Sequence, residues 1–139
     1  MTTRMATMLL LGLSVGLLGC GGGEGATSKP DGPLVVVTTT GQIADLVREV
    51  GGDRVEVTAL MGPGVDPHLF KASAGDVDRL RGADLIVYNG LHLEAKMSTV
   101  LRHMDERRAT LAVAEAVPES LLLSPPGYEA AHDPHIWFD

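Results

Sequence analysis

Four short apolar runs, separated by amphipathic segments, constrain the fold of this chain more than any other feature. The runs occupy residues 34–39, 55–60, 83–89 and 110–117. The first, LVVVTT, is continuous and rich in β-branched residues, which is typical of a strand buried on both faces of a parallel sheet. Because strands that alternate with helices form βαβ units, the sequence predicts an α/β fold: a doubly wound parallel sheet of about four strands with flanking helices.

The segments between the runs carry helical spacing and helix-boundary residues. The first has an apolar face spaced i, i+3, i+4, i+7, made of Ile43, Leu46, Val47 and Val50. Gly51 and Gly52 follow it, and a glycine can take the positive φ that ends a helix. Ser73 with Asp76 resembles a capping box, which predicts a second helix that ends at Gly82. A third apolar face, whose methionines we interpret as core filling, consists of Leu93, Met97, Val100, Leu101 and Met104.

One tripeptide occurs twice, as Asp66-Pro67-His68 and Asp133-Pro134-His135. A neutral imidazole is a common ligand for divalent transition metals, the proline before it fixes the backbone, and the nearby carboxylate is placed to accept the other ring N–H. For either copy alone, a solvated histidine after an Asp-Pro turn is the alternative. The copies follow the second and fourth runs, and parallel strands present their carboxyl ends at one edge. We therefore predict that His68 and His135 meet there and bind metal.

The N-terminal region reads as an export signal. Residues 1–19 combine Arg4 with an apolar stretch that is too short to span a bilayer comfortably, and Gly19 directly precedes Cys20, the single cysteine. This resembles a bacterial lipobox with lipid on Cys20; an ordinary secretory signal with an incidental cysteine is the alternative. Residues 20–33 are rich in Gly, Pro and small polar residues, which predicts a flexible tether, and we place one folded lobe at 34–139.

Composition argues against nucleic acid as a partner. The formal net charge is −7, and the chain has one Trp, two Tyr and two Phe, without a basic stripe in which aromatic residues are interleaved. No Gly-x-Gly-x-x-Gly or Walker sequence opens a helix, which disfavours nucleotide binding. An acidic surface instead mildly favours cations.

Other histidines and a glutamate are weaker candidates for metal ligands. His92 and Glu94 form a possible second pair, but we interpret Glu94 as a residue in the first turn of the third helix that stabilises the helix dipole. His132, three residues before His135, permits either a local His-Asp-Pro-His clip or a solvated loop histidine. We interpret His103 as a cation near a helix C-terminus.

The surroundings of the predicted site leave its chemistry open. Trp137 and Phe138 follow His135 and are expected to pack behind it as a hydrophobic wall. A metal-dependent hydrolase would use the same histidines and enlist Asp66, Asp133 or Asp139, but no HExxH helix is present, and the tether and lipobox suit a capture protein better. A surface adhesin-like lipoprotein with vestigial ligands is a third alternative.

Taken together, three motifs resemble those of one known family. They are VDPHLFKAS at 65–73, ADLIVYNGLHLEAKM at 83–97 and DPHIWFD at 133–139, and the likeness covers residues 34–139. They resemble the solute-binding lipoproteins of bacterial ABC importers for manganese, zinc and iron, a group that includes proteins once called adhesins. The resemblance implies that His68 and His135 are metal ligands and that the protein is not an enzyme.

The resemblance also implies partners and a location. Such a protein, expected to be a monomer, captures a divalent transition metal, with zinc and manganese favoured here, outside the cell membrane and delivers it to an ABC permease. We expect it to be exported and held on the bacterial membrane by lipid on Cys20. The family has a second lobe, which supplies a histidine or glutamate and an aspartate to the metal. We expect this chain to carry the first lobe only, and hence to bind metal weakly by itself.

Overall fold

A computed structural model describes residues 32–126 and 131–138 of the chain. The predicted signal peptide, the lipidation site Cys20 and the tether as far as residue 31 lie outside the described residues, as do Asp139 and the side chain of Phe138. Within the two described ranges, no helix is long and apolar enough to cross a membrane.

The described residues form a four-stranded parallel sheet with three α-helices, which confirms the predicted α/β fold. The strands pair in the order β2-β1-β3-β4, and every pairing is parallel. The two outer strands are therefore β2 and β4. In chain order the elements are β1 (Leu34–Thr38), α1 (Gly41–Gly51), β2 (Val55–Ala59), α2 (Ala74–Gly82), β3 (Leu85–Tyr88), α3 (Ser98–Asp105) and β4 (Ala109–Ala112).

Helices cover both faces of the sheet, as expected for a doubly wound fold. Val36 and Val87 contribute to a cluster on one face with Ile43 of α1. Their neighbours Val37 and Ile86 point to the opposite face, because successive side chains of a strand alternate. There they pack in a larger cluster with Leu80 of α2, with Leu101 and Met104 of α3, and with Met97 directly before α3.

The end of α1 and both ends of α2 lie at the predicted boundary residues. At the start of α1, Thr40 is the N-cap, and its Oγ1 accepts a hydrogen bond from the N–H of Ile43 at 3.4 Å. Gly52 ends α1 with a φ of 53°. Ser73 and Asp76 form a complete capping box at the start of α2, since each side chain accepts a hydrogen bond from the backbone N–H of the other residue.

Two predicted elements are shorter than expected. The third helix begins at Ser98 after a single 3₁₀ turn (Ala95–Met97), because Leu91 and His92 have φ values of 49° and 64° that no right-handed helix allows. The fourth strand ends at Ala112, where the chain enters another 3₁₀ turn (Val113–Ala116). The apolar face of the third segment is nonetheless confirmed: Leu93, Met97, Leu101 and Met104 are buried and Val100 is partly buried.

Candidate metal centre

The first Asp-Pro-His copy lies in the loop between β2 and α2. Asp66 Oδ1 accepts two hydrogen bonds from His68, one from the backbone N–H at 2.9 Å and one from ring Nδ1 at 2.9 Å. The ring bond and then the backbone bond lower the pKa of the Asp66 carboxyl. With Nδ1 donating to Asp66, the lone pair of the neutral ring is on Nε2. The His68 side chain is 45% exposed, so this tautomer is presented to solvent and to incoming solutes.

The second copy repeats this geometry in the long segment after β4. Asp133 Oδ1 accepts the backbone N–H of His135 at 3.0 Å and its ring Nδ1 at 2.6 Å, and these bonds lower the pKa of the Asp133 carboxyl. The rings of Trp137 and His135 pack in a T-shaped arrangement, with centroids 5.3 Å apart and planes at 72°. The predicted packing of Trp137 against His135 is therefore confirmed, and the Phe138 side chain lies outside the described part of the chain.

The tertiary structure brings the two imidazoles together. The ring centroids of His68 and His135 are 5.4 Å apart, with an interplanar angle of 44°, and both rings line one open crevice. A metal bound to one nitrogen of each ring at about 2.1 Å, at the tetrahedral angle, requires centroids about 5 Å apart. The predicted meeting of the two histidines is confirmed, and their spacing fits one shared ion. Their role as metal ligands stays a prediction.

Two carboxylates line this crevice and a third lies close to it. Asp66 and the exposed Asp45, which is ion-paired with Arg48 at 3.0 Å, line it, and Asp133 lies behind His135. On a chain with a formal net charge of −7, such a concentration of negative charge raises the local concentration of cations. The crevice therefore combines nitrogen ligands with a field that attracts metal ions.

Glu94 corrects one sequence-based interpretation. It precedes α3, so it does not serve the dipole of that helix; its side chain is buried, with 3% exposure. Oε1 accepts hydrogen bonds from Thr39 Oγ1 and from the N–H of Asn89, both at 2.7 Å, and Oε2 accepts from the N–H of Gly90 at 3.2 Å. The sequence held a signal for this burial, because Glu94 shares the apolar face of Met97 at helical spacing.

The buried Glu94 carboxylate lies at the point where the strand order of the sheet reverses. In doubly wound sheets, ligands bind where the strand order reverses, which in this order is beyond the carboxyl ends of β1 and β3. At that point, the carboxylate of Glu94 already accepts hydrogen bonds from the backbone N–H groups of Asn89 and Gly90. The crevice is lined by Thr40 and Gly41, which come directly after β1, and by His68 and His135, which lie on the segments that follow β2 and β4.

The remaining histidines have other surroundings. His132 Nδ1 lies 3.1 Å from Ser124 Oγ, and its Nε2 lies 3.7 Å from Glu119 Oε1. Neither contact is part of the His-Asp-Pro-His clip that the sequence permitted. His103 is in the last turn of α3, 3.6 Å from Glu106, and His92 is exposed. Among residues 32–126 and 131–138, no three His, Cys, Asp or Glu side chains are grouped so as to hold a metal.

The fold and the site define a class: a doubly wound α/β lobe with two carboxylate-backed imidazoles beyond the carboxyl ends of its strands. Within that class, the chain belongs to the family described as zinc-uptake complex component A periplasmic, whose family model matches residues 36–139. The resemblance inferred from the three motifs is thereby confirmed.

Similar proteins share both sequence and fold with this chain. The manganese-binding lipoprotein MntA of Bacillus subtilis (strain 168) is 51% identical over 122 residues, which cover 88% of this chain and 39% of that protein. The zinc-binding protein TroA of Treponema pallidum (strain Nichols) is 48% identical over 134 residues, which cover 96% of this chain and 42% of that protein. The structure of the periplasmic zinc binding protein TroA from Treponema pallidum matches with a TM-score of 0.73 and 53% identity, over 78% of this chain and 38% of that one. The chain thus spans about two fifths of the length of these relatives.

Proposed function

We propose that this protein captures a divalent transition metal outside the cytoplasm and delivers it to the membrane permease of an ABC importer. His68 and His135 are the two ligands that this chain supplies. The observation that carries the proposal is the 5.4 Å separation of two imidazoles, each with its Nδ1 held by a carboxylate. An aspartate on the other ring nitrogen raises the basicity of an imidazole ligand and fixes its orientation.

The metal in this proposal is zinc or manganese. Both are named for relatives of this chain, manganese for MntA and zinc for TroA. Imidazole nitrogen suits several first-row divalent ions, so two histidines bind without choosing sharply between them. Selectivity therefore falls to ligands beyond the described residues.

Transport, as opposed to catalysis, is the proposed role. Metal-dependent hydrolysis needs an open coordination position together with a general base near the metal. Here the two carboxylates nearest the imidazoles, Asp66 and Asp133, are both engaged by histidine Nδ1 atoms. The names of the relatives likewise describe binding proteins.

The proposal includes a lipid anchor on Cys20 and a monomeric protein held on the outer side of the bacterial cytoplasmic membrane or on the cell surface. Relatives such as MntA are named lipoproteins. Replacement of Cys20 by serine should release the protein from the membrane fraction and abolish labelling by a radioactive fatty acid. Retention of both in the C20S variant would contradict the anchor.

The central test is titration of the metal-free chain with Zn²⁺ and with Mn²⁺ by calorimetry. All proteins carry C20S, because a thiolate is itself a zinc ligand. We expect weak 1:1 binding that is lost in H68A and in H135A, since two imidazoles leave the coordination of a first-row ion incomplete. His103→Ala, on the exposed surface of α3, is the matched control and should bind as the parent does. Sub-micromolar affinity that survives H68A would overturn the assignment.

A further inference from the structure

Asn89 links the core of the sheet to the second Asp-Pro-His copy. It directly follows β3 and is buried, with 1% exposure. Its Nδ2 donates one hydrogen bond to the carbonyl of Gly90 at 3.0 Å and another to the carbonyl of Pro134, 45 residues along the chain, at 2.9 Å. Pro134 is the residue directly before His135. A side chain of the core thus holds the backbone that carries one of the two imidazoles.

The backbone of Asn89 is itself held on two sides. Its N–H donates to the buried carboxylate of Glu94 at 2.7 Å, and its carbonyl accepts the N–H of Ala114, beyond β4, at 2.9 Å. Hydrogen bonds to a buried carboxylate are short and strong, because little water competes for the charge. Asn89 is therefore a fixed point from which the Pro134 carbonyl can be positioned.

An asparagine at this place is unfavourable for stability alone. Burial of an amide has a free-energy cost that hydrogen bonds must offset, and among the described residues Oδ1 of Asn89 has no hydrogen-bond partner. An apolar side chain would avoid that cost, but it would leave the Pro134 carbonyl without this donor. The need for an N–H directed at Pro134 accounts for the residue type.

We infer that Asn89 is the positioning residue for His135: it holds the Pro134 carbonyl so that the His135 ring lies beside His68 before any metal arrives. His68 does not depend on such a link, because Phe70, two residues later, packs against the core. A ligand that is already in place binds without first being ordered, so its affinity is higher. The effect on metal binding rests on the function proposed above, whereas the ordering of His135 does not.

The first test measures amide hydrogen exchange by NMR in the metal-free chain. N89D keeps the shape of the side chain but removes the Nδ2 donor, and N89A removes the whole group. In both variants we expect exchange at His135 and Ile136 to rise about tenfold or more, while Leu69 and Phe70 in the first copy stay unchanged. The matched control is Thr38→Val, an equally buried polar residue whose hydroxyl donates to the Thr40 carbonyl. Equal exchange at His135 in N89D, N89A and T38V would overturn the inference.

A measurement on the unmodified chain guards against variants that fail to fold. The Nδ2 protons of Asn89 should exchange slowly with solvent, because both carbonyl partners hold them in a buried position. Rapid exchange of both Nδ2 protons would overturn the inference without any substitution.

The second test titrates the same variants with Zn²⁺. N89D should bind zinc about tenfold more weakly than T38V, the effect expected when support outside the ligand set is lost. If N89D loosens His135 yet binds zinc as tightly as T38V does, Asn89 has no positioning role in metal capture. Absence of zinc binding by the unmodified chain would count against the proposed function, while the exchange result would still decide whether Asn89 orders His135.

Discussion

The two Asp-Pro-His copies have the same local geometry but are attached to the core in different ways. In each, one aspartate oxygen accepts both the backbone N–H and the ring Nδ1 of the histidine two residues later. The first copy continues into a turn in which the Asp66 carbonyl accepts the N–H of Phe70 at 3.1 Å, and Phe70 packs on the core. The second is held through the Asn89 amide and through a 2.7 Å hydrogen bond from the Asp133 N–H to the Leu123 carbonyl.

This difference teaches that the tripeptide encodes the geometry of the ligand but not its position. The first copy has an apolar and local attachment, since Phe70 lies only two residues beyond His68. The second has a polar and remote attachment that spans 45 residues. Apolar packing tolerates small shifts, whereas a hydrogen bond is lost when its donor moves by about an ångström. Substitutions should therefore affect the two copies selectively.

The largest effect is expected from Phe70→Ala. Loss of this half-buried ring should lower the free energy of unfolding by about 2 kcal/mol, less than for a fully buried phenylalanine. It should loosen the His68 segment and leave residues 133–136 unchanged, as measured by urea unfolding and hydrogen exchange. Leu69→Ala is the control, since Leu69 is exposed, and it should change stability by less than about 0.5 kcal/mol. Equal loosening of both segments in F70A would break the comparison.

Gly90→Ala should instead affect the attachment of the second Asp-Pro-His copy. Gly90 has a φ of 86°, and an added Cβ would lie 3.2 Å from the Cβ of Ala112. The left-handed backbone alone should lower stability by about 1 to 2 kcal/mol, and the Gly90 carbonyl that Asn89 binds should move. We expect faster exchange at His135 with little change at Phe70. Gly62→Ala, where an added Cβ meets open space, serves as the control, and similar losses in both variants would count against this account.

Asp66→Asn and Asp133→Asn test whether the shared geometry has the same consequence in both places. Each substitution removes the negative charge next to Nδ1, so each should weaken Zn²⁺ binding about tenfold, or about 1.4 kcal/mol. Calorimetric titration with Zn²⁺ measures the loss of affinity in each variant. Asp45→Asn, which changes an exposed carboxylate in the same crevice, is titrated as the control. A loss confined to one copy would show that attachment to the core outweighs local geometry.

The smallest effect concerns the helix that follows the first copy. Ser73→Ala removes the hydroxyl of the capping box and should lower stability by about 1 kcal/mol, whereas Ser98→Ala, at an exposed serine bonded only locally, should change it little. The hydrogen bonds from Ser73, together with Arg79, lower the pKa of the Asp76 carboxyl.

That lowered pKa also predicts an acid dependence. Since the folded pKa lies below the unfolded value of about 3.9, the carboxylate contributes its full stability above that value and loses it as the pH falls through the folded pKa. The parent should therefore exceed Asp76→Asn in stability at pH 6, and the gap should narrow by pH 3. Urea unfolding at both pH values tests this; a gap independent of pH would contradict it.

The elements of the fold could be predicted because their signals are local. The β-branched run of β1 and the capping box of α2 each depend on residues within a few positions of one another. The start of α3 could not be predicted, because Leu91 and His92 take positive φ values in a turn that the buried Glu94 carboxylate stabilises. That carboxylate is bonded to Thr39, 55 residues earlier, and no local pattern contains such a contact.

The sequence by itself determined the parallel α/β architecture and the local form of both Asp-Pro-His copies, because periodicity and short-range hydrogen bonds act between near neighbours. Only the tertiary structure decided that the two rings lie 5.4 Å apart. The two histidines follow the two outer strands, whose carboxyl ends are about 14 Å apart across three strand spacings. The segments that carry them must therefore approach each other beyond the carboxyl ends of the strands. The positions of such long segments depend on remote contacts, which here are the packing of Phe70 on the core and the hydrogen bond from the Asn89 amide to the Pro134 carbonyl.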